Sequence, residues 1–168
     1  MFCAMRIYRR CLPAALALAA PMFCYAGTTT TTFPVSAVIN SACSVTASAL
    51  SFGAYNPSSG SPLDGTSAIS VYCTVGSAYT VALDIGTGGG AYTGRTIANG
   101  ANVLDYNLYT SNARTTVWGD GTGATSTVAG SGAGLLTAST QTVYGRVSAL
   151  QDKPAGTYTS TITVTVTF

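Results

Sequence analysis

The 168-residue chain has no histidine, and since its five acidic residues are all aspartates it has no glutamate either. Without histidine, Ser-His-Asp and Cys-His arrangements for nucleophilic catalysis are excluded. Without glutamate, a two-carboxylate mechanism could draw only on Asp64, Asp84, Asp105, Asp120 and Asp152. These are scattered among turns and alternating stretches, where aspartate commonly serves turn geometry and solvent. Charge is scarce as well, at 7% of the residues, so there is no Lys/Arg stripe to follow a phosphate backbone. Lys153 is the one lysine; with two of the better surface helix formers nearly missing, no segment shows a helical period. The sequence thus offers no catalytic, cofactor-binding or metal-ligating set.

Three partial motifs each have a plainer reading. Gly86-Thr87-Gly88-Gly89-Gly90 resembles a phosphate loop but lacks the Gly-Lys-Ser/Thr and helix start that should follow, and reads as a turn. Trp118-Gly119-Asp120-Gly121 could hold calcium or a sugar, but a turn with a packed indole is the commoner use. Tyr92, Tyr106, Tyr109 and Tyr144 could stack on carbohydrate, but sheet and core contacts are commoner for tyrosines in alternating stretches.

What the chain does have begins with Arg6, Arg9 and Arg10, then the apolar run Leu12–Ala20 and the small-residue exit Cys24-Tyr25-Ala26. This is the pattern of a secretory signal peptide, residues 1–26, with cleavage expected near Ala26. The apolar run is interrupted by Pro13 and Pro21 and is short for a membrane span. Removing residues 1–26 from the 168 leaves 142, enough for one domain. Four basic residues (Arg95, Arg114, Arg146, Lys153) then face five aspartates, and the formal charge of +2 becomes −1. A surface of Thr, Ser, Gly and Asn with so little charge suits an assembled state, because little self-repulsion opposes association. Cys43 and Cys73 remain, and in an exported domain they are expected to form one structural disulfide.

The rest of the chain alternates. Phe33, Val35, Ala37 and Ile39 form a mostly apolar face; so do Ile69, Val71 and Cys73, then Tyr79, Val81, Leu83 and Ile85, then Leu104, Tyr106 and Leu108, then Val143 and Val147. Turn clusters at Gly53–Gly65, Gly86–Gly94, Trp118–Gly123 and Ala129–Gly134 separate them. Short alternating strands between such clusters predict an all-β sandwich, with a closed barrel as the alternative. The last segment is the most regular. Threonine stands at 157, 159, 161, 163, 165 and 167, with Ile162, Val164, Val166 and Phe168 in the intervening places. One face is a ladder of stiff β-branched polar residues, the other an apolar stripe that needs cover. At the opposite end stands a detached alternating segment, and completion between subunits follows as an expectation.

Several motifs in order resemble the spore coat protein U domain family. They are Ala42-Cys43-Ser44-Val45, Leu50-Ser51-Phe52-Gly53-Ala54-Tyr55-Asn56-Pro57, Ile69-Ser70-Val71-Tyr72-Cys73-Thr74, Leu104-Asp105-Tyr106-Asn107-Leu108-Tyr109, Val143-Tyr144-Gly145-Arg146 and Gly156-Thr157-Tyr158. The family includes pilin subunits of archaic chaperone–usher pili. The resemblance implies an incomplete immunoglobulin-like β-sandwich, completed by a donor strand from outside the domain. On this reading residues 27–41 are a donor segment carrying Phe33, Val35, Ala37 and Ile39. Residues 42–168 are the pilin domain, with Ile162, Val164, Val166 and Phe168 in its acceptor groove. The implied partners are a periplasmic chaperone, an outer-membrane usher and neighbouring pilin subunits, with export through the periplasm to a cell-surface fibre serving adhesion and biofilm formation. No nucleic acid or small-molecule substrate is implied. Pro34 leaves the donor register open, since proline cannot donate to a ladder. The competing expectation is a secreted, self-complemented β-sandwich acting as a lectin-like module or coat protein.

Overall fold

The computed structural model describes residues 26–168; the expected signal peptide therefore lies outside the described residues, save Ala26. The chain divides into two units, Met1–Ala37 and Val38–Phe168. In the first, residues 26–37 carry no strand and are exposed throughout.

The second unit is built of strands, with no helix among the described residues. In chain order they are β1 (Cys43–Ala47), β2 (Leu63–Cys73), β3 (Ala78–Leu83), β4 (Gly90–Ala91), β5 (Gly94–Asn99), β6 (Asn102–Tyr109), β7 (Val117–Trp118), β8 (Thr125–Ser126), β9 (Val128–Ser131), β10 (Ser139–Val147) and β11 (Val164–Thr167). One sheet runs β1-β2-β10-β6-β5-β4, with β7 on β6 and β8 on β7; the other runs β11-β3-β9. Alternation sets the inner faces. Ile69, Val71 and Cys73 of β2, Tyr106 and Leu108 of β6, and Val143 and Val147 of β10 meet Tyr79, Val81 and Leu83 of β3 in one core. This is the expected all-β sandwich. The expected disulfide joins Cys43 to Cys73, direct partners in the β1–β2 register. Closing a 30-residue separation contributes about 3–4 kcal/mol in the chain-entropy view.

Two buried side chains tie the sheets together. Trp118 is fully buried and donates from Nε1 to the Val81 carbonyl at 2.9 Å. Arg95, on the inner face of β5, donates to the carbonyls of Asp84 (2.9 Å) and Trp118 (2.7 Å) and to Asn107 Oδ1 (2.8 Å). Longer contacts reach the Tyr92 and Leu83 carbonyls, and the guanidinium lies over the Tyr92 ring. Burial pulls its pKa below the ordinary arginine value, and the carbonyl dipoles take the place of a counter-ion.

The structure corrects the reading of two turn clusters. Within Gly86–Gly94 lies the short strand Gly90–Ala91, and Ala129–Gly134 holds most of the strand Val128–Ser131, where Gly130 lies so close to the Tyr79 ring that any side chain would overlap it; the strand Gly94–Asn99, whose Arg95 enters the core, had no sequence reading. The final segment is also less uniform than its pattern. Only Val164–Thr167 pairs regularly with β3, preceded by a single bridge, Ala98 with Thr159. Between them side chains complete the ladder. Thr163 N–H donates to Asp84 Oδ1 and Thr161 N–H to Thr87 Oγ1, each at 2.9 Å, while the Asp84 and Thr87 amides donate to the Thr163 and Thr161 carbonyls.

Candidate functional site: a cleft between two sheet edges

After its last ladder bond, Ser48 N–H to the Ala68 carbonyl, the chain leaves β1 and crosses the inner face of the larger sheet. The cause is a pair of glycines. Gly65 and Gly145 are register partners, and with no side chains they leave a hollow that Leu50 and Phe52 fill. A Cβ on Gly145 would lie 2.8 Å from Phe52 Cζ and 2.9 Å from Leu50 Cδ1. The Phe52 ring meets Tyr106 edge-on, 6.1 Å between centroids. Gly53, at φ 74°, takes the left-handed turn that ends this contact. Tyr55 then anchors the crossing, its hydroxyl donating to the Ser148 carbonyl (2.9 Å) and accepting from Gln151 N–H (2.8 Å). Among the described residues, no backbone group from Ala49 to Tyr55 is hydrogen-bonded.

The facing rim is the final segment. The backbone groups of Thr159, Thr161 and Thr163 turn toward β5 and the β3 extension, and the alternation continues into β11. Backbone groups of successive strand residues point to opposite sides. Those of Ser160, Ile162, Val164 and Val166 therefore point outward, and among the described residues no further strand pairs with β11. β1 is likewise the outermost strand of its sheet.

Between these rims lies a cleft of about 1030 Å³. Its floor is apolar: Ile69, Leu83, Ile97, Leu104, Tyr106, Leu108, Val143 and Val147. Among the described residues, Lys153 is the one charged residue lining the cleft, and no acid or thiol lines it. Burial raises the pKa of the Tyr106 hydroxyl, which keeps it neutral. An apolar trough flanked by two rows of unpaired backbone groups matches the needs of one ligand class, an extended peptide with apolar side chains at every second position.

The residues singled out from the sequence are distributed around this cleft. Ile162 and Val164 line it; Val166 packs against the core beside it; Phe168 is 57% exposed beyond the end of β11. Phe33, Val35, Ala37 and Ile39 belong to no strand and are exposed, to 81% at Phe33 and 86% at Ile39. Of the four tyrosines, Tyr106 is in the core, Tyr92 lies against Arg95, and Tyr109 and Tyr144 are cross-strand partners on the outer face. The crossing Leu50–Tyr55 was legible only as a motif; its place as a rim depends on Gly65 and Gly145, far away in sequence.

The model of the Spore Coat Protein U domain matches residues 29–165. The chain belongs to this family. Among curated proteins, Protein U of Myxococcus xanthus is 35% identical over 161 residues, covering 85% of this chain and 87% of that protein. Among solved structures, a chain of the CsuC–CsuE chaperone–tip adhesion subunit pre-assembly complex, from the archaic chaperone–usher Csu pili of Acinetobacter baumannii, superposes with a TM-score of 0.51 at 23% identity. That likeness covers 77% of this chain and 40% of the other, and it concerns the fold. The Spore Coat Protein U match takes in the extended segment from residue 29 as well as the sandwich.

Proposed function

We propose that this Spore Coat Protein U domain protein is a structural subunit of an extracellular chaperone–usher fibre, polymerising by donor-strand exchange. The observation that carries the reading is the apolar cleft between the unpaired Leu50–Tyr55 crossing and the unpaired edge of the final segment, in a chain that also carries an exposed alternating apolar segment. Residues 27–41 of one subunit supply the strand, with Phe33, Val35, Ala37 and Ile39 directed into the next subunit's cleft, whose wall includes Ile162 and Val164 and, at its far end, Val166 and Phe168. A periplasmic chaperone fills the cleft first, and an outer-membrane usher exchanges it for the neighbour's strand. The signal peptide, cleaved near Ala26, directs export, and the finished fibre serves adhesion and biofilm formation. Such a contact is heterologous and does not close, so it builds filaments. Low net charge leaves little repulsion between subunits.

Deletion of Thr28–Ile39 tests this. Produced with its chaperone and usher, the shortened chain should be captured by the chaperone and form no fibres. Normal fibres from it, or a stable self-complemented monomer made without any chaperone, would overturn the proposal.

A further inference from the structure

One end of the sandwich carries apolar side chains that the core does not use. The turn after β2 and the turn after β9 are bound to each other: Gly76 N–H donates to the Gly132 carbonyl, Gly132 N–H to the Ser77 carbonyl and Gly134 N–H to the Cys73 carbonyl. Together they hold out Val75, Leu135 and Leu136, the last 99% exposed. The donor segment leaves the domain at this apex. Ala42 N–H donates to Thr74 Oγ1, Thr74 N–H returns to the Ala42 carbonyl, and Ser77 Oγ meets Ser41 Oγ at 3.2 Å.

The opposite end of the cleft has an oddity of its own. Leu150 adjoins Gln151, a lining residue of the cleft, and is 66% exposed with a left-handed backbone at φ 57°. The left-handed backbone is costly for a leucine.

We propose that the apex of one subunit, Val75, Leu135 and Leu136, docks on the Leu150 end of the next subunit's cleft, so that consecutive copies touch through their bodies as well as through the donor strand. This rests on the donor-strand reading above, from which two further steps lead to it. β11 belongs to a sheet whose pairs, β11–β3 and β3–β9, are both antiparallel, and a donor added at β11 continues that ladder. A donor antiparallel to β11 enters with Ile39 at the end near Thr157, Gln151 and Leu150. Ile39 is three residues from Ala42, a tether of at most about 11 Å. The donor's own apex is therefore held against that end, and Leu136 and Leu150, exposed on the isolated subunit, can cover each other. The tether supplies a high local concentration, so a small apolar contact suffices.

The test is cross-linking in assembled fibres of the full chain, made with chaperone and usher. Once Cys3, Cys11 and Cys24 leave with the signal peptide of the proposed export, the Cys43–Cys73 disulfide leaves introduced thiols free of competition. One variant carries Leu136→Cys and Leu150→Cys; a second carries Leu136→Cys and Phe168→Cys, which would meet if the donor ran parallel to β11. A short bis-maleimide should join the first variant into a covalent ladder that survives boiling in detergent, at least about tenfold more than the second, given the tethered concentration. Fibres that assemble but give no ladder from the first variant, or a ladder only from the second, overturn the docking contact and leave the donor-strand reading standing. Absence of fibres from the unmodified chain removes both.

Discussion

Gly65 and Gly145 face each other across the β2–β10 ladder, and their missing side chains make the hollow in which Phe52 and Leu50 sit. One rim of the cleft thus depends on two positions that lie 80 residues apart. Gly145→Ala should push Phe52 and Leu50 off the sheet, since both contacts would fall under 3.0 Å. The ring tip can give, so the expected cost is about 1–2 kcal/mol rather than loss of the fold. Phe52→Ala should cost about 2 kcal/mol, below the value for a fully buried ring, because Phe52 is half-buried. Urea unfolding measures both, and limited proteolysis between Ala49 and Tyr55 should quicken in each variant.

Arg95→Lys keeps the charge and loses the fork. Lysine cannot reach the carbonyls of Asp84 and Trp118 and Asn107 Oδ1 together. Buried acceptors left without donors cost about 1–3 kcal/mol each, and the expected loss is about 3 kcal/mol or more. Trp118, the single tryptophan, accepts one of these bonds, so its fluorescence reports the unfolding midpoint directly. A midpoint within error of the unmodified chain would contradict the role given to Arg95.

Asp64 and Arg146 are cross-strand partners on the outer face, joined at 2.7 and 2.9 Å, with Arg114 at 3.3 Å. The Arg146 hydrogen bonds hold the Asp64 pKa below its ordinary value; partial burial opposes this, and the two arginine charges assist it. With the folded-state pKa depressed, the contribution is complete above the unfolded-state pKa and is lost as pH falls through the folded one. The site is partly exposed, so the contribution is at most about 1 kcal/mol. Asp64→Asn should therefore be less stable than the unmodified chain near neutral pH, with the difference shrinking as pH falls through the depressed folded-state pKa, which unfolding curves at neutral and acid pH would resolve.

The sequence revealed those elements whose alternation is uninterrupted. β2, β3, β6 and β10 fall where alternating apolar residues place them, and the cysteines pair as exported cysteines should. The parts that escaped share a physical cause. β5 buries an arginine, and β9 needs a glycine beneath Tyr79, so neither shows an apolar period, and β9 reads as a turn. The threonine ladder promised one long strand. The tight turn at Gly86–Gly88 instead hands part of its pairing to the Asp84 and Thr87 side chains, which no local pattern encodes. Of the cleft, the Ile162–Val164 wall was legible, while the glycine pair that seats the other rim was not.

Ser160, Ile162, Val164 and Val166 direct their amides away from β5 and β3, and these four amides are where an incoming strand must pair. Hydrogen exchange read at these residues, in the chain as monomer and in the chain as fibre, decides whether the cleft is filled by a strand. Slowing by about a hundredfold or more in the fibre, while the already paired amides of Thr161 and Thr163 change little, is the expected result. Fibres in which these four amides exchange as fast as in the monomer would contradict donor-strand completion.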